Sequence, residues 1–298
     1  MTDIGKLATE QRNAASERID RLPTLDMVRL INNEDKKVAG AVETVCPQIA
    51  KAIDGIYARM QRGGRLIYTG CGTSGRLGVL DAAECPPTYS TDPERVRAVI
   101  AGGYGAMFAA VEGAEDDRSL GANDLKALHL MEDDSVVGIA ASGRTPYVLG
   151  ALDYAKSVGA LTIAVTCCPG CEAEAHADIA ISPAPGPEVI TGSTRMKSGT
   201  AQKMILNMLS TGVMVKLGKV YGNLMVDVKA SNEKLRERCV RIVRQATGAE
   251  DAAARAALIE TNYACKPAIV MLLLGVDKTG AETLLTRANG RVAAALEG

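Results

Sequence analysis

The spacing of apolar positions changes along the chain near residue 63. Between residues 24 and 62, apolar side chains such as Val38, Val42 and Val45 recur every three or four positions, which predicts amphipathic helices. From residue 64 onward, short apolar runs bounded by glycines and polar turns alternate with helical segments. This alternation predicts an α/β fold in three layers, with a parallel sheet covered by helices on both faces. The predicted strands are residues 65–69, 96–101, 135–141, 160–166 and 178–182.

The same pattern divides the chain into three segments. Residues 1–62 are predicted to be helical, beginning with a helix at residues 5–22, with an interruption at Asn32–Asn33 and a kink or restart at Pro47. This segment is predicted to pack on the core or on a second copy of the chain. Residues 63–230 carry the α/β domain, and residues 231–298 one helix followed by a small bundle of three short helices. Within the α/β domain, helices are predicted at 75–84, across 105–130, at 146–157 and at 201–217.

A glycine-rich turn follows the first predicted strand. In residues 70–75 (GCGTSG), the glycines permit a tight turn, and Ser74 is predicted to cap a helix whose free N–H groups attract an anion. The turn also fits G-x-G-x-x-G, but a dinucleotide site needs an acidic residue at the tip of the second strand, where this chain has Gly102 and Gly103. A compact phosphorylated ligand is therefore favoured over NAD.

Two further polar loops are expected near this turn. The third strand ends in residues 140–145 (AASGRT), and the carboxyl ends of parallel strands share one edge of the sheet, so two hydroxyl-rich turns converge on one pocket. The loop at residues 191–200 (TGSTRMKSGT) can approach the same pocket. Alternatively, Ser198 or Thr200 of that loop serves only to cap the next helix.

Composition excludes several classes of function. The 298 residues are 47% hydrophobic and carry a formal net charge of −1 without a long basic run, which argues against nucleic-acid binding and membrane attachment. The longest apolar run, residues 268–276, is too short to span a bilayer. A cytoplasmic protein is expected.

Eight cysteines are scattered through the chain and are expected to be reduced thiols. One cluster, residues 167–171 (CCPGC) with His176 downstream, has the residue types of a zinc site, but it also fits an ordinary loop after an apolar strand. We favour the loop, and predict neither a metal nor a cofactor.

Longer motifs now point to a known family. The turn at 71–74 (CGTS) and the loop at 142–145 (SGRT) resemble the phosphate-gripping loops of the sugar isomerase (SIS) domain, although Ala140 stands where many sugar isomerases have a serine. The chain more specifically resembles the N-acetylmuramic acid 6-phosphate etherases, which are related to the glucokinase regulatory protein. The motifs that carry this resemblance are residues 72–78 (GTSGRLG), 81–89 (DAAECPPTY), 111–116 (VEGAED), 138–147 (GIAASGRTPY), 191–197 (TGSTRMK) and 222–227 (GNLMVD).

The resemblance implies a carbon–oxygen lyase that eliminates D-lactate from the C3 ether of the sugar and then adds water. It implies that Glu84 donates a proton to the departing lactate and that Glu115 is the base at C2. From the residues alone, the apolar neighbours of Glu84 would raise its pKa, whereas Glu115 lies in an acidic stretch that solvent exposure also explains. The runner-up is a regulator that binds sugar phosphate without catalysis. The expected substrate-binding residues are Gly72, Thr73, Ser74, Ser142, Gly143, Arg144, Thr145, Ser193 and Lys197.

The spacing of Ser74 and Glu84 suggests a shared site. Ten residues of continuous helix would separate them by about 15 Å, which is longer than a hexose phosphate. Either the helix breaks early or the site is completed by a second protomer, and we favour a homodimer. The cations Arg76, Arg144, Arg195 and Lys197 are candidates for the lactyl carboxylate or an enolate oxygen, without a ranking.

Overall fold

A five-stranded parallel sheet forms the centre of the chain in this computed structural model, which describes residues 8–297. The spatial order is β2-β1-β3-β4-β5, and every pairing is parallel. All five residues of β1, β3 and β4 are buried, as expected for strands covered on both faces. The strands are β1 (Leu66–Gly70), β2 (Val96–Ile100), β3 (Ser135–Ile139), β4 (Leu161–Val165) and β5 (Ile179–Ile181).

Helices connect the strands and precede them. Because apolar residues recur at the helical period, α1 and α2 bury one side each, including Val38 and Val42 of α1 and Ile49 and Ile56 of α2. Helix α5 contacts β1, β3 and β4, and α2 contacts β4 and β5. The helices up to the end of the sheet region are α1 (Thr24–Glu43), α2 (Cys46–Gln61), α3 (Gly72–Tyr89), α4 (Arg118–Ala127), α5 (Pro146–Val158), α6 (Glu172–Ala175) and α7 (Lys197–Lys216).

The described residues form two compact units. The first contains the residues up to Ala82 together with Glu94–Ser210, and the second contains Ala83–Pro93 and the chain from Thr211 onward. The second unit has its own apolar core, built from residues such as Val243, Leu258 and Ile269. Its elements are the two-stranded antiparallel β6 (Val220–Tyr221) and β7 (Leu224–Met225), and α8 (Glu233–Thr247), α9 (Asp251–Glu260), α10 (Cys265–Leu274), α11 (Lys278–Arg287) and α12 (Val292–Glu297).

Several predicted boundaries are wrong. Helix α1 runs through Asn32 and Asn33, because both side chains are exposed and interrupt no packing. The restart predicted at Pro47 is confirmed, because α1 ends at Glu43 and Pro47 lies in the first turn of α2, where its missing N–H costs no hydrogen bond. The region 105–130 contains only α4 and two short 3₁₀ turns, and residues 249–297 contain four helices where three were predicted.

The helix predicted at residues 5–22 is also wrong where the structure describes it. Three short 3₁₀ turns, at Ala8–Glu10, Ala14–Ser16 and Ile19–Arg21, take its place, and residues 5–7 lie outside the described part of the chain. Asn13 caps the second turn by accepting a hydrogen bond from the N–H of Ala15 at 2.9 Å. No helix among residues 8–297 has the length and apolar character needed to cross a membrane.

Candidate active site

The two hydroxyl-rich loops lie side by side at the carboxyl edge of the sheet. Strands β1 and β3 are neighbours in register, with Gly70 opposite Ile139, so the residues after each strand emerge together. A cavity of about 330 Å³ lies there. Its lining residues are Glu10, Cys71, Gly72, Thr73, Ser74, Glu115, Ile139, Ala140, Ala141, Ser142, Thr145, Gly192 and Thr194. We call it the main cavity.

The first loop turns directly into α3. The helix begins at Gly72, so Ser74 lies inside its first turn and is not the cap that the sequence predicted. The Ser74 hydroxyl instead donates to Gln202 Oε1 at 2.9 Å. Gly75 is required because an added Cβ would lie 2.5 Å from the carbonyl oxygen of Gly70. This close approach aims the amino end of α3 at the main cavity, where its free N–H groups favour an anion.

The second loop has a similar construction. Gly143 has φ +66°, and an added Cβ would lie 2.1 Å from Cys171 Sγ. Thr145 precedes α5 without capping it through its side chain, and Pro146 occupies the first turn. The Thr145 side chain therefore lines the main cavity beside the amino end of a second helix.

Glu115 lines the main cavity together with the two loops. It also lines an adjoining side cavity of about 210 Å³, together with Arg76 and Glu112. Burial is the largest of the effects that raise the pKa of the Cys71 thiol to about 12, and the nearby carboxylates of Glu115 and Asp116 contribute to the same rise. Cys71 is therefore a neutral thiol at physiological pH and a poor nucleophile. Of the side chains lining the main cavity in the described chain, none is Arg, Lys or His.

Other predicted site residues lie elsewhere. Glu84 is exposed, so it lacks, among the described residues, the apolar surroundings that the sequence predicted for it. Helix α3 continues unbroken past Glu84 to Tyr89, which excludes the early helix break. Within residues 8–297, neither Gly143, Arg144 nor Ser193 lines the main cavity, although each is next to a residue that does.

Lys197 is buried away from the main cavity. Only 1% of the residue is exposed, and Nζ lies 2.7 Å from Oε2 of Glu34, which is also buried. Burial raises the pKa of Glu34, but hydrogen bonds from Lys197, Lys37 and Asn13 outweigh this effect and lower the pKa to about 2. Lys197 is thus paired with a carboxylate of α1.

A buried carboxylate caps α7. Glu188 accepts hydrogen bonds from the backbone N–H groups of Lys197 and Ser198, both at 2.9 Å. The capping alternative for the loop at 191–200 was therefore wrong, because Ser198 and Thr200 lie inside α7 and do not cap it. The loop does approach the same pocket, where Gly192 and Thr194 line the main cavity.

Sequence reasoning missed Glu10 and Gln202. Glu10 lines the main cavity and approaches the position of a Cβ on Gly192 to 3.2 Å. Gln202 is buried, and its Nε2 has no partner among the described residues, while its Oε1 accepts from Ser74. Both lie far along the chain from the glycine-rich turn, and no local motif marks them.

The cysteine cluster supports the second loop. Cys171 packs against Gly143, and the Ala173 N–H donates to the Gly143 carbonyl at 2.9 Å. Cys167 Sγ lies 3.6 Å from the Ser198 carbonyl, and burial raises the pKa of its thiol to about 12. No group of three or more His, Cys, Asp or Glu side chains suited to a metal ion occurs in the part of the chain that is described.

Three family models match the chain, and the first two of them overlap. The N-terminal SIS domain of the glucokinase regulatory protein matches residues 48–156, and the SIS domain matches residues 108–212. The C-terminal lid domain of the glucokinase regulatory protein matches residues 222–270. These matches confirm the predicted SIS fold class.

Full-length relatives are far more similar. A protein of Vibrio cholerae serotype O1 named N-acetylmuramic acid 6-phosphate etherase 1 is 57% identical over 294 residues, which cover 99% of this chain and 98% of that protein. The chain belongs to the N-acetylmuramic acid 6-phosphate etherase family. Etherases of Photorhabdus laumondii and Clostridium botulinum are 58% and 57% identical and cover 97% and 100% of this chain.

Similarity to solved structures is weaker than similarity to these etherases. A phosphoheptose isomerase from Francisella tularensis is 20% identical, with a TM-score of 0.48, and the match covers 64% of this chain and 98% of the isomerase.

Proposed function

We propose that this chain cleaves the lactyl ether of N-acetylmuramic acid 6-phosphate, releasing D-lactate and forming N-acetylglucosamine 6-phosphate. The observation that carries the proposal is full-length identity of 56–58% to relatives that bear the etherase name. The main cavity supports it, because a carboxylate faces two hydroxyl-rich loops and two helix amino ends. The reaction belongs to amino-sugar catabolism and the recycling of peptidoglycan, and we expect it in the cytoplasm.

The chemistry follows from opening of the sugar ring. An alkyl ether at a saturated carbon resists hydrolysis, but the open form has an aldehyde at C1 that acidifies the hydrogen on C2. A base removes this hydrogen, and the C3–O bond breaks as the lactyl oxygen takes a proton. Water then adds to C3 of the unsaturated aldehyde, which restores the hydroxyl and returns a hydrogen to C2. No redox step is required.

The residues of the main cavity suit the two ends of this substrate. The hydroxyls of Thr73, Ser74, Ser142 and Thr145 hold the phosphate together with the backbone N–H groups at the amino ends of α3 and α5, and the Ser74 hydroxyl turns from Gln202 to donate to it. Glu115 is the base at C2. Of the remaining predicted binding residues, Gly72 also lines the main cavity, and Gly143 shapes the second loop through its positive φ. Among the described residues, Arg144, Ser193 and Lys197 lie outside this lining.

The proton donor to lactate is Glu84, supplied by a second copy of the chain in a homodimer. Because α3 is unbroken, Glu84 lies about 15 Å along the helix from Ser74. An exposed stripe at helical spacing, comprising Leu80, Ala83, Glu84 and Pro87, supports this arrangement, and Leu80 is 43% exposed. A second chain that packs on this stripe would place its own Glu84 at the main cavity of the first chain.

A regulator that binds sugar phosphate without turnover is the second candidate. Two of the matching family models describe domains of the glucokinase regulatory protein. The relatives with 56–58% identity are etherases, however, and this favours the enzyme.

Release of D-lactate from authentic substrate tests the enzyme directly. We expect the unmodified chain to release it and Glu115→Gln to lose release together with exchange of the C2 hydrogen for solvent deuterium. Asp116→Asn is the matched control, because Asp116 is the neighbouring carboxylate and lines neither the main cavity nor the side cavity. Binding of substrate without any lactate would instead establish the regulator.

Mixed dimers test the shared site. Chains carrying Glu84→Ala and chains carrying Glu115→Gln should each be inactive and should recover up to about a quarter to a half of wild-type activity when combined. A monomer in solution, or mixed dimers without recovery, would contradict a shared site.

A further inference from the structure

The side cavity contains an arginine that is anchored along only one edge. Nε of Arg76 donates to the carbonyl oxygens of Ala106 and Met107, at 3.1 and 3.0 Å. Its two Nη groups have no hydrogen-bond or ion-pair partner among residues 8–297. The guanidinium is thus held in place while its outer edge remains available. Arg76 lines the side cavity, which adjoins the main cavity at Cys71, Gly72 and Glu115.

The other candidate cations differ from Arg76 in position. Lys197 is buried against Glu34, and Arg195 is exposed. Within the described chain, Arg144 and Arg195 line neither the main cavity nor the side cavity. The structure therefore ranks Arg76 first among the four cations that the sequence left unranked.

We infer that Arg76 binds the carboxylate of the lactyl group in the side cavity. This inference rests on the proposed etherase function. A planar guanidinium with a free edge presents two parallel N–H donors, and a carboxylate accepts both. The main cavity has no cationic side chain among its described lining residues, so Arg76 supplies the charge that the acid end of the substrate requires.

The position and size of the side cavity fit the lactyl group. Glu115 lines both cavities, and the base at C2 must lie next to C3, where the lactyl oxygen is attached. The six non-hydrogen atoms of a lactyl ether, at no more than about 30 Å³ each, occupy no more than about 180 Å³. The side cavity holds about 210 Å³. The sugar phosphate therefore fills the main cavity while the lactyl group extends past Glu115 toward Arg76.

The test compares two substrates in three proteins. The substrates are N-acetylmuramic acid 6-phosphate and its analogue in which the lactyl carboxylate is a primary carboxamide. We expect wild type to prefer the acid about 10- to 100-fold in kcat/KM, as a charge-assisted bidentate contact implies. Arg76→Met should lower kcat/KM for the acid by about the same factor, so that its kcat/KM values for the acid and the carboxamide become nearly equal. Arg76→Lys should retain part of the preference, because it keeps the charge but not the fork.

The ratio of kcat/KM for the acid to kcat/KM for the carboxamide shows whether Arg76 binds the carboxylate or has a purely structural role. If Arg76 only held the loop at 106–107, its loss would displace Glu115 and slow both substrates alike. Arg95→Met is the matched control, because Arg95 is also half-buried and donates to the carbonyls of Gly63 and Met60 but lines neither cavity. It should keep the wild-type ratio.

Two results would overturn the assignment of Arg76. One is a wild-type protein that turns over both substrates equally, which needs no variant and so does not depend on folding. The other is an Arg76→Met protein with the wild-type preference. Absence of D-lactate from wild type would instead overturn the proposed function, and the assignment of Arg76 with it.

Discussion

Replacing Lys197 with methionine should destabilise the protein more than it weakens substrate binding. The sequence made Lys197 a candidate for substrate contact, but its Nζ lies 2.7 Å from Glu34 in a buried position. Lys197→Met keeps the length of the side chain and removes the charge. Glu34 would then retain only its contacts with Lys37 and Asn13.

Two independent estimates give a similar magnitude. Removing one partner of a buried ion pair costs about 3–5 kcal/mol, because the other charge remains desolvated. A buried carboxyl whose pKa falls from 4.5 to about 2 on folding contributes about 3 kcal/mol at neutral pH, and Lys197 makes the largest contribution among the three side chains that lower this pKa. We expect Lys197→Met to lower the free energy of unfolding by about 3 kcal/mol.

The pH dependence has a definite sign. The pKa of Glu34 is lower in the folded state, so its contribution is complete above its ordinary value of 4.5 and is lost as the pH falls toward about 2. The cost of Lys197→Met should therefore shrink over this range.

Urea unfolding at pH 7 and pH 3, with steady-state kinetics on the same samples, provides the measurement. Lys36→Met is the control, because Lys36 is exposed on α1 near Glu34, and it should change stability by less than about 0.5 kcal/mol. The double variant Glu34→Gln with Lys197→Met should recover part of the loss. Unchanged stability combined with a raised KM in Lys197→Met would refute this account and return Lys197 to the substrate.

Three further predictions concern the loops. Ser74→Ala should raise KM about tenfold with a smaller change in kcat, because it removes one hydroxyl donor from the main cavity, and an unchanged KM would argue against phosphate contact. Gly143→Ala should lower the urea midpoint by the equivalent of about 1–3 kcal/mol, since a Cβ there would lie 2.1 Å from Cys171 Sγ, and Cys171→Gly should restore part of it. With a thiol pKa of about 12, Cys71 should resist iodoacetamide at pH 8 while exposed Cys46 reacts, as mass spectrometry of peptides would show; equal labelling would contradict the raised pKa.

The sheet was predictable because its strands carry a strong local signal. Buried parallel strands such as β1 and β3 are continuous apolar runs, and the turns after them carry glycine and hydroxyl residues. The helix limits were not predictable in the same way. Asn32 and Asn33 suggest a stop by local propensity, but the packing of Val38 and Val42 carries α1 through them.

The candidate site was predictable to the extent that it is built from loops that follow strands. Ser74, Ser142 and Glu115 come together at the main cavity because chain topology fixes where such loops emerge. The positions of Glu10 and Lys197 depend on tertiary contacts, since burial decides whether a lysine meets a ligand or a carboxylate. Arg76 could be proposed from sequence, but only its one-sided anchoring distinguishes it from other arginines.

The pairing of Gly70 with Ile139 has a consequence for how this site can change. Adjacent strands are held about 4.8 Å apart by backbone hydrogen bonds, so the two serine loops keep a separation that no side-chain substitution sets. The anionic end of a ligand is thus bound by two loops whose spacing is fixed by the sheet. Changes in substrate specificity should arise in the irregular segment between β2 and α4. Substitutions in that segment leave the spacing of the two serine loops unchanged.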